Sequence, residues 1–299
     1  MPHGQHSQSQ WIKCISTQGN LRGVALQATS LVQELVEMHK LQGDVAQSLG
    51  EAVIAALMVA SYCKGGERIN LNIRGSAFIQ QALVDAHPDG TVRGYVIERH
   101  FEPGQMDTTR NFGPWGDGLL SVLRTKAGEN EKPYIGTVPL LTGHLAKDLT
   151  FYWLQSEQIP SAVGIAVKID NGKVISAGGF LVQAMPGATA AELQDIENNI
   201  VGLQSLASEL AKNENPVHLL SQIFSSTAFV LLEEKPLRFQ CTCSQARVER
   251  ALSLIGVVEL SDMIEKDNGA SVKCEFCGTD YKMSADRLRE LIKSATLKP

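Results

Sequence analysis

Four cysteines, Cys241, Cys243, Cys274 and Cys277, stand as two close pairs within the last 59 positions of a 299-residue chain. Residues 244–273, 30 positions, separate the pairs. A tetrahedral zinc ion is well served by four thiolates, each pair supplying two ligands from a tight turn. Gly278, directly after the second pair, suits such a turn because glycine takes positive φ without a Cβ penalty. The stretch between the pairs is expected to fold as a small helical unit, and the simplest purpose of the site is to staple a C-terminal domain too poor in apolar residues to fold alone. The first pair, however, has one intervening residue, fewer than the two or more usual in structural zinc knuckles. That spacing points to redox chemistry. Metal-bound sulfur is already a thiolate, the form that oxidants attack, and a neighbouring thiolate can displace the oxidised sulfur to close a disulfide. Sulfurs in disulfides cannot hold zinc, and metal binding in small thiolate sites is worth on the order of 10 kcal/mol of folding free energy, so its loss is expected to unfold the C-terminal unit.

The remaining reactive residue types give weaker signals. Cys14 and Cys63 stand alone and read as small buried apolar residues. The seven histidines, His3, His6, His39, His87, His100, His144 and His218, fall outside ligand spacing of the cysteine pairs, which favours an all-cysteine site. His3 and His6 can at most bind adventitious metal. The glycine-rich run Gly113-Pro114-Trp115-Gly116-Asp117-Gly118 is followed by no Lys-Ser or Lys-Thr and reads as a plain loop. Ser156-Glu157 has no nucleophile-elbow context and no Ser, His and Asp set can be assembled, so hydrolase chemistry is a weak third reading and no enzyme is expected. A zinc ribbon that binds nucleic acid is the main rival, but residues 241–299 carry nine Lys or Arg against nine Asp or Glu. Such a module lacks the cationic excess that phosphate binding rests on. Arg287, Arg289 and Lys293 then read as a solvated helix face.

The elements that must position the cysteines are legible in outline. Lys plus Arg number 27 against 32 for Asp plus Glu, which gives no global attraction to nucleic acid or anionic membrane. The N-terminal ten residues lack the pattern of a secretion signal, and the longest apolar run, residues 52–63, is too short for a bilayer core roughly 30 Å thick. A cytoplasmic chain with reduced thiols is expected. Residues 28–41, with Leu31, Leu35 and Met38 on one face, and residues 45–62 read as helices. Strands are expected at 68–74, 82–86, 92–97, 119–124 and 164–169, with His87-Pro88-Asp89-Gly90 as a turn and a helix at 145–155. Residues 189–212 place Leu193, Ile196, Ile200, Leu203, Ala207 and Leu210 on one stripe of an amphipathic helix, and a second apolar cluster follows Pro216. The fold class is thus α+β, divided into a mixed core domain (1–187), a helical linker (188–240) and a small zinc-binding domain (241–299). Once exposed, Leu193, Ile196, Ile200, Leu203 and Leu210 would bind unfolded chains without specificity, since apolar burial is non-directional.

With these residues in place, the chain resembles the redox-regulated bacterial heat-shock holdases, the thirty-three-kilodalton chaperonins. The most specific likeness is the C-x-C and C-x-x-C set, within Phe239-Gln240-Cys241-Thr242-Cys243-Ser244 and Val272-Lys273-Cys274-Glu275-Phe276-Cys277. Leu21-Arg22-Gly23, Gly94-Tyr95, residues 134–140, Gln155-Ser156-Glu157-Gln158-Ile159-Pro160 and Gly179-Phe180-Leu181 through Pro186-Gly187 also look like that family's signatures. The resemblance implies one zinc ion per reduced, inactive chain. Oxidation with heat then releases the metal, unfolds the linker and frees surface for unfolding client proteins, without ATP. It further implies disulfides Cys241–Cys243 and Cys274–Cys277, an active homodimer, and ATP-dependent foldases that take over the clients. Two departures stand out: Ser244-Gln245-Ala246-Arg247 is less charged than the family's segment there, and the polar N-terminal extension is longer.

Overall fold

The computed structural model describes residues 8–99, 113–126, 133–203 and 205–296. His3, His6, His100 and the polar N-terminal extension over residues 1–7 lie outside them. The chain divides into two compact units, Met1–Gln240 and Cys241–Pro299, and its architecture is α+β.

The first unit holds two sheets with a buried helix between them. Strands β1 (Gln10–Ser16) and β2 (Leu21–Gln27) lead into helices α1 (Thr29–His39) and α2 (Gly43–Ser61). Strands β3 (Arg68–Gly75), β4 (Ile79–Ala86), β5 (Thr91–Glu98), β6 (Gly118–Thr125) and β7 (Tyr134–Leu140) follow, then helix α3 (Leu145–Tyr152), which runs on into a π-helical turn at Trp153–Glu157. The hairpin of β8 (Ser161–Asp170) and β9 (Lys173–Ala184) precedes helices α4 (Ala190–Gly202), α5 (Leu206–Lys212) and α6 (Pro216–Ile223) and strands β10 (Phe229–Pro236) and β11 (Arg238–Phe239). One sheet has the order β10-β1-β2-β9-β8 and the other β11-β5-β4-β3-β6-β7. Helix α2 packs on both sheets and buries an unbroken run from Ala52 to Ser61. By length and composition α2 is apolar enough to cross a membrane, but here that surface faces protein.

Strands β1 and β9 escape an alternation reading because both of their faces are covered. Trp11 joins the core around α2, while Ile12 and Cys14 on the opposite face join a second cluster with Leu21, Phe180 and Val182. That second cluster is closed by Ile196, Leu210, Leu219, Leu220, Ile223 and Phe224 from α4, α5 and α6.

Two expectations for residues 188–240 need correction. The single helix expected over 189–212 is two helices, because Gly202 ends α4 and Ser205 caps α5 through its side chain, which accepts the Ser208 N–H. Nor is the segment helical to its end, since β10 and β11 join the two sheets. Over β10 the half-buried side chains are Phe229, Glu233 and Lys235, while Val230, Leu231, Leu232, Glu234 and Pro236 are exposed.

The second unit is small. Helices α7 (Gln245–Ser253) and α8 (Val257–Asp267) precede the antiparallel hairpin of β12 (Gly269–Lys273) and β13 (Asp280–Ser284) and helix α9 (Ala285–Thr296). Only Leu252, Leu260, Met283, Leu288 and Leu291 form its buried apolar centre among the described residues.

Candidate metal centre

The β12–β13 hairpin presents the second cysteine pair. Its register ends on Lys273 opposite Asp280, so residues 274–279 form the connecting loop. The Cys274 N–H donates to Thr279 O at 2.9 Å and the Gly278 N–H to Cys274 O at 2.8 Å, closing a tight turn. Gly278 sits at φ 70°, the left-handed conformation its position suggests, and a Cβ there would meet only the end of Lys273. The first pair lies just before α7, whose N-cap Ser244 accepts the Arg247 N–H. Arg247 reaches back to donate to Thr242 Oγ1 at 2.6 Å, between the two cysteines.

These two turns bring all four sulfurs within 4.8 Å of one another. Cys241 Sγ stands 3.8 Å from Cys274 Sγ, and Cys243 Sγ 3.4 Å from Cys277 Sγ, with no disulfide among them. Four thiolates at about 2.3 Å from a zinc ion would stand about 3.8 Å apart, so the donor set and its spacing fit a tetrahedral thiolate site. Among the described residues no other group of three or more His, Cys, Asp or Glu is so arranged.

The thiols are not equivalent. Burial within the cluster raises Cys274 to about 12, and it also raises Cys243. Burial acts the same way on Cys277, but hydrogen bonding to the Thr279 hydroxyl and backbone and to the sulfurs of Cys243 and Cys274 outweighs it and brings that thiol to about 7. The Tyr281 hydroxyl donates to Cys243 Sγ at 3.0 Å. Tyr281 and Thr279 are the contributors that the cysteine spacing did not reveal. The available signal is strand period: Tyr281 lies opposite Val272 on the hairpin that carries the second pair.

The other sequence candidates lie elsewhere. Ile196 and Leu210 are buried, and Leu193, Ile200 and Leu203 pack partly buried against the same cluster, so the amphipathic stripe is docked on the sheet. Cys14 is fully buried, which pushes its thiol up to about 12; burial likewise lifts Cys63 to about 11. His39, His87, His144 and His218 take no part in the cluster. The glycine-rich loop closes a sheet corner: Trp115 O accepts from Ser76 N–H at 2.9 Å and from Ala77 N–H at 3.1 Å. Arg287 is bound bidentately by Glu249 at 3.0 and 2.7 Å and by Glu290, so this cation joins α9 to α7.

A family model described as Hsp33 protein matches residues 9–284. The 33 kDa chaperonin of Nostoc punctiforme is 36% identical over 292 residues, covering 95% of each chain. That of Shouchella clausii is 31% identical over 293 residues, covering 96% of this chain and 98% of its own. The crystal structure of the 33 kDa chaperonin from Thermotoga maritima superposes with a TM-score of 0.85 at 30% identity, covering 97% of this chain and 99% of that one.

Proposed function

Since the chain belongs to the Hsp33 protein family, whose relatives are chaperonins, we propose that it is a chaperone of the holdase type, silent while its four C-terminal cysteines are reduced and active once they are oxidised. The observation that carries this reading is the convergence of four sulfurs whose first member, Cys241, directly follows the segment that covers the apolar sheet face. Cys241, Cys243, Cys274 and Cys277 are the residues that would hold one zinc ion. When bound, zinc keeps the four sulfurs as thiolates and ties the 241–243 turn to the hairpin loop.

With a peroxide as oxidant, one thiolate attacks a peroxide oxygen and becomes a sulfenic acid, releasing hydroxide or water. A second thiolate displaces the remaining hydroxyl to give the disulfide, so two electrons pass to one peroxide for each bond formed. The pairing we propose, Cys241 with Cys243 and Cys274 with Cys277, follows the family resemblance. No thiolate donors then remain, and the second unit, with its five-residue apolar centre, loses its staple. Residues 188–240, read as a metastable linker, come away from the sheet and free Leu193, Ile196, Ile200, Leu203 and Leu210 for unfolding clients. In this reading the protein is not an enzyme, and the active form is a homodimer that passes clients to ATP-dependent foldases. The cytoplasm, where thiols start reduced, is the compartment in which such a switch has meaning.

The test couples zinc release under peroxide or hypochlorite to light scattering of a heat-unfolding client. Metal release together with suppressed aggregation is the expected result. Metal release with unchanged aggregation would sink the chaperone switch, and tight nucleic-acid binding across a salt series would replace it with a zinc-ribbon role.

A further inference from the structure

Release of residues 188–240 removes two strands, β10 and β11, as well as three helices. Strand β10 is the edge of its sheet and pairs only with β1, whereas β1 is held on its other side by β2. Thr17 donates its N–H to Ala228 O at 2.9 Å, and Ser9 O accepts the Leu237 N–H at 2.7 Å. By strand alternation Trp11, Lys13 and Ile15 also aim their backbone groups at β10. The seat has side-chain features too. Lys13 Nζ lies 3.0 Å from Glu233 Oε1, the Trp11 indole donates to the same oxygen at 3.2 Å, and Phe229 packs on Phe224 with ring centroids 5.5 Å apart.

The occupant is loosely held. Val230, Leu231 and Leu232 keep 47, 51 and 59% of their surface exposed. The ladder is interrupted between Lys13 and Cys14, where Leu232 has no partner, and it ends at Pro236, which has no N–H to give.

We propose that the β1 edge is a client-binding site of the active state. An extended segment of an unfolding polypeptide pairs antiparallel with β1 in place of β10, apolar residues first and an acidic residue at Lys13. This inference rests on the holdase reading and adds to the freed helical stripe a second client contact, on the sheet. Backbone pairing suits a chaperone because it is blind to client sequence, while the apolar sheet face beside it, with Ile12, Cys14 and Leu21, rewards alternate apolar side chains. The native segment 229–236 is the template: Phe229, Val230 and Leu231 lead to Glu233 on Lys13.

Hydrogen exchange on the full-length protein tests this, with reduced carboxymethylated α-lactalbumin as the unfolded client. The amides of Trp11, Lys13 and Ile15 should be protected in the reduced protein, exchange at least about tenfold faster after oxidation, and slow again by about tenfold when the client is added. A peptide with the sequence of residues 229–236 should displace the client, and the same peptide carrying Val230→Pro, which removes the N–H opposite Ile15, should not. If the client is held while these three amides stay open, the site is wrong although the holdase reading stands; if they never open on oxidation, β10 does not leave β1 and the release of residues 188–240 fails with the site. If the oxidised protein holds no client, both fail.

Discussion

At Cys243 a single hydroxyl sets the local chemistry: Tyr281 donates to its sulfur at 3.0 Å, and the contact holds Tyr281 itself up to about 12. A donor on a ligand sulfur orients the ligand and spreads its charge, and loss of such outer partners typically costs about 10- to 100-fold in metal affinity. Tyr281→Phe should therefore weaken zinc retention by about tenfold in a chelator competition and speed metal release under oxidant, with the reduced fold intact. Replacing Cys241 and Cys243 together with Ser removes two of the four donors. That variant should purify without zinc and hold clients with no oxidant present; unchanged metal content would contradict the ligand set. Gly278→Ala probes the turn alone. At φ 70° an alanine costs roughly 1–2 kcal/mol, so a lower thermal midpoint with unchanged metal stoichiometry is expected.

Among the elements, α4 and α5 carry the proposed gate, and their docking has identifiable anchors. Ile196 and Leu210 are each 3% exposed, and truncating either to alanine should cost about 2–5 kcal/mol of docking and core energy. On the holdase reading, Ile196→Ala should hold clients partially while still reduced, measured by light scattering beside an intact zinc content. The start of α4 adds a pH dependence. Hydrogen bonds from the Thr189 backbone and hydroxyl and from Asn20 hold the Glu192 carboxyl below the usual glutamate range. Its folded value is depressed, so its contribution is complete above the ordinary glutamate range and disappears as pH falls toward the depressed value. Amide protection in α4 should fall in that acidic window and be restored on neutralisation. The cysteine pairs, α1, α2 and strands such as β3 are legible in the sequence because spacing and period mark them directly, whereas β7, interrupted by Gly136 and Pro139, is not. Strands β1 and β9 are not, since sheets covered on both faces lose alternation. The break at 202–205 and the pairing of β10 with β1 depend on cap chemistry and on a partner more than two hundred residues away, which no local window contains.

For the whole molecule, the decisive contrast is between two units of unequal self-sufficiency. The first is built on two sheets and a buried helix, while the second centres on Leu252, Leu260, Met283, Leu288 and Leu291. A domain of that size rarely supplies more than about 3–5 kcal/mol from its core alone, so a metal ion or another cross-link is needed to keep it folded. The bidentate pair of Arg287 with the half-buried Glu249 ties α9 to α7 but is a single interaction and does not replace an apolar core. Chelation under reducing conditions should therefore melt α7, α8, α9 and the β12–β13 hairpin while the sheets of the first unit keep their amide protection. Far-ultraviolet circular dichroism and hydrogen exchange read the two units separately, and added zinc should restore the lost signal. If the second unit stays folded without metal, sulfur oxidation has no fold to dismantle, and the four cysteines can bind an ion without switching anything. Loss of both units together would instead mean that the first depends on the second for stability, and the gate would have to extend well beyond residues 188–240.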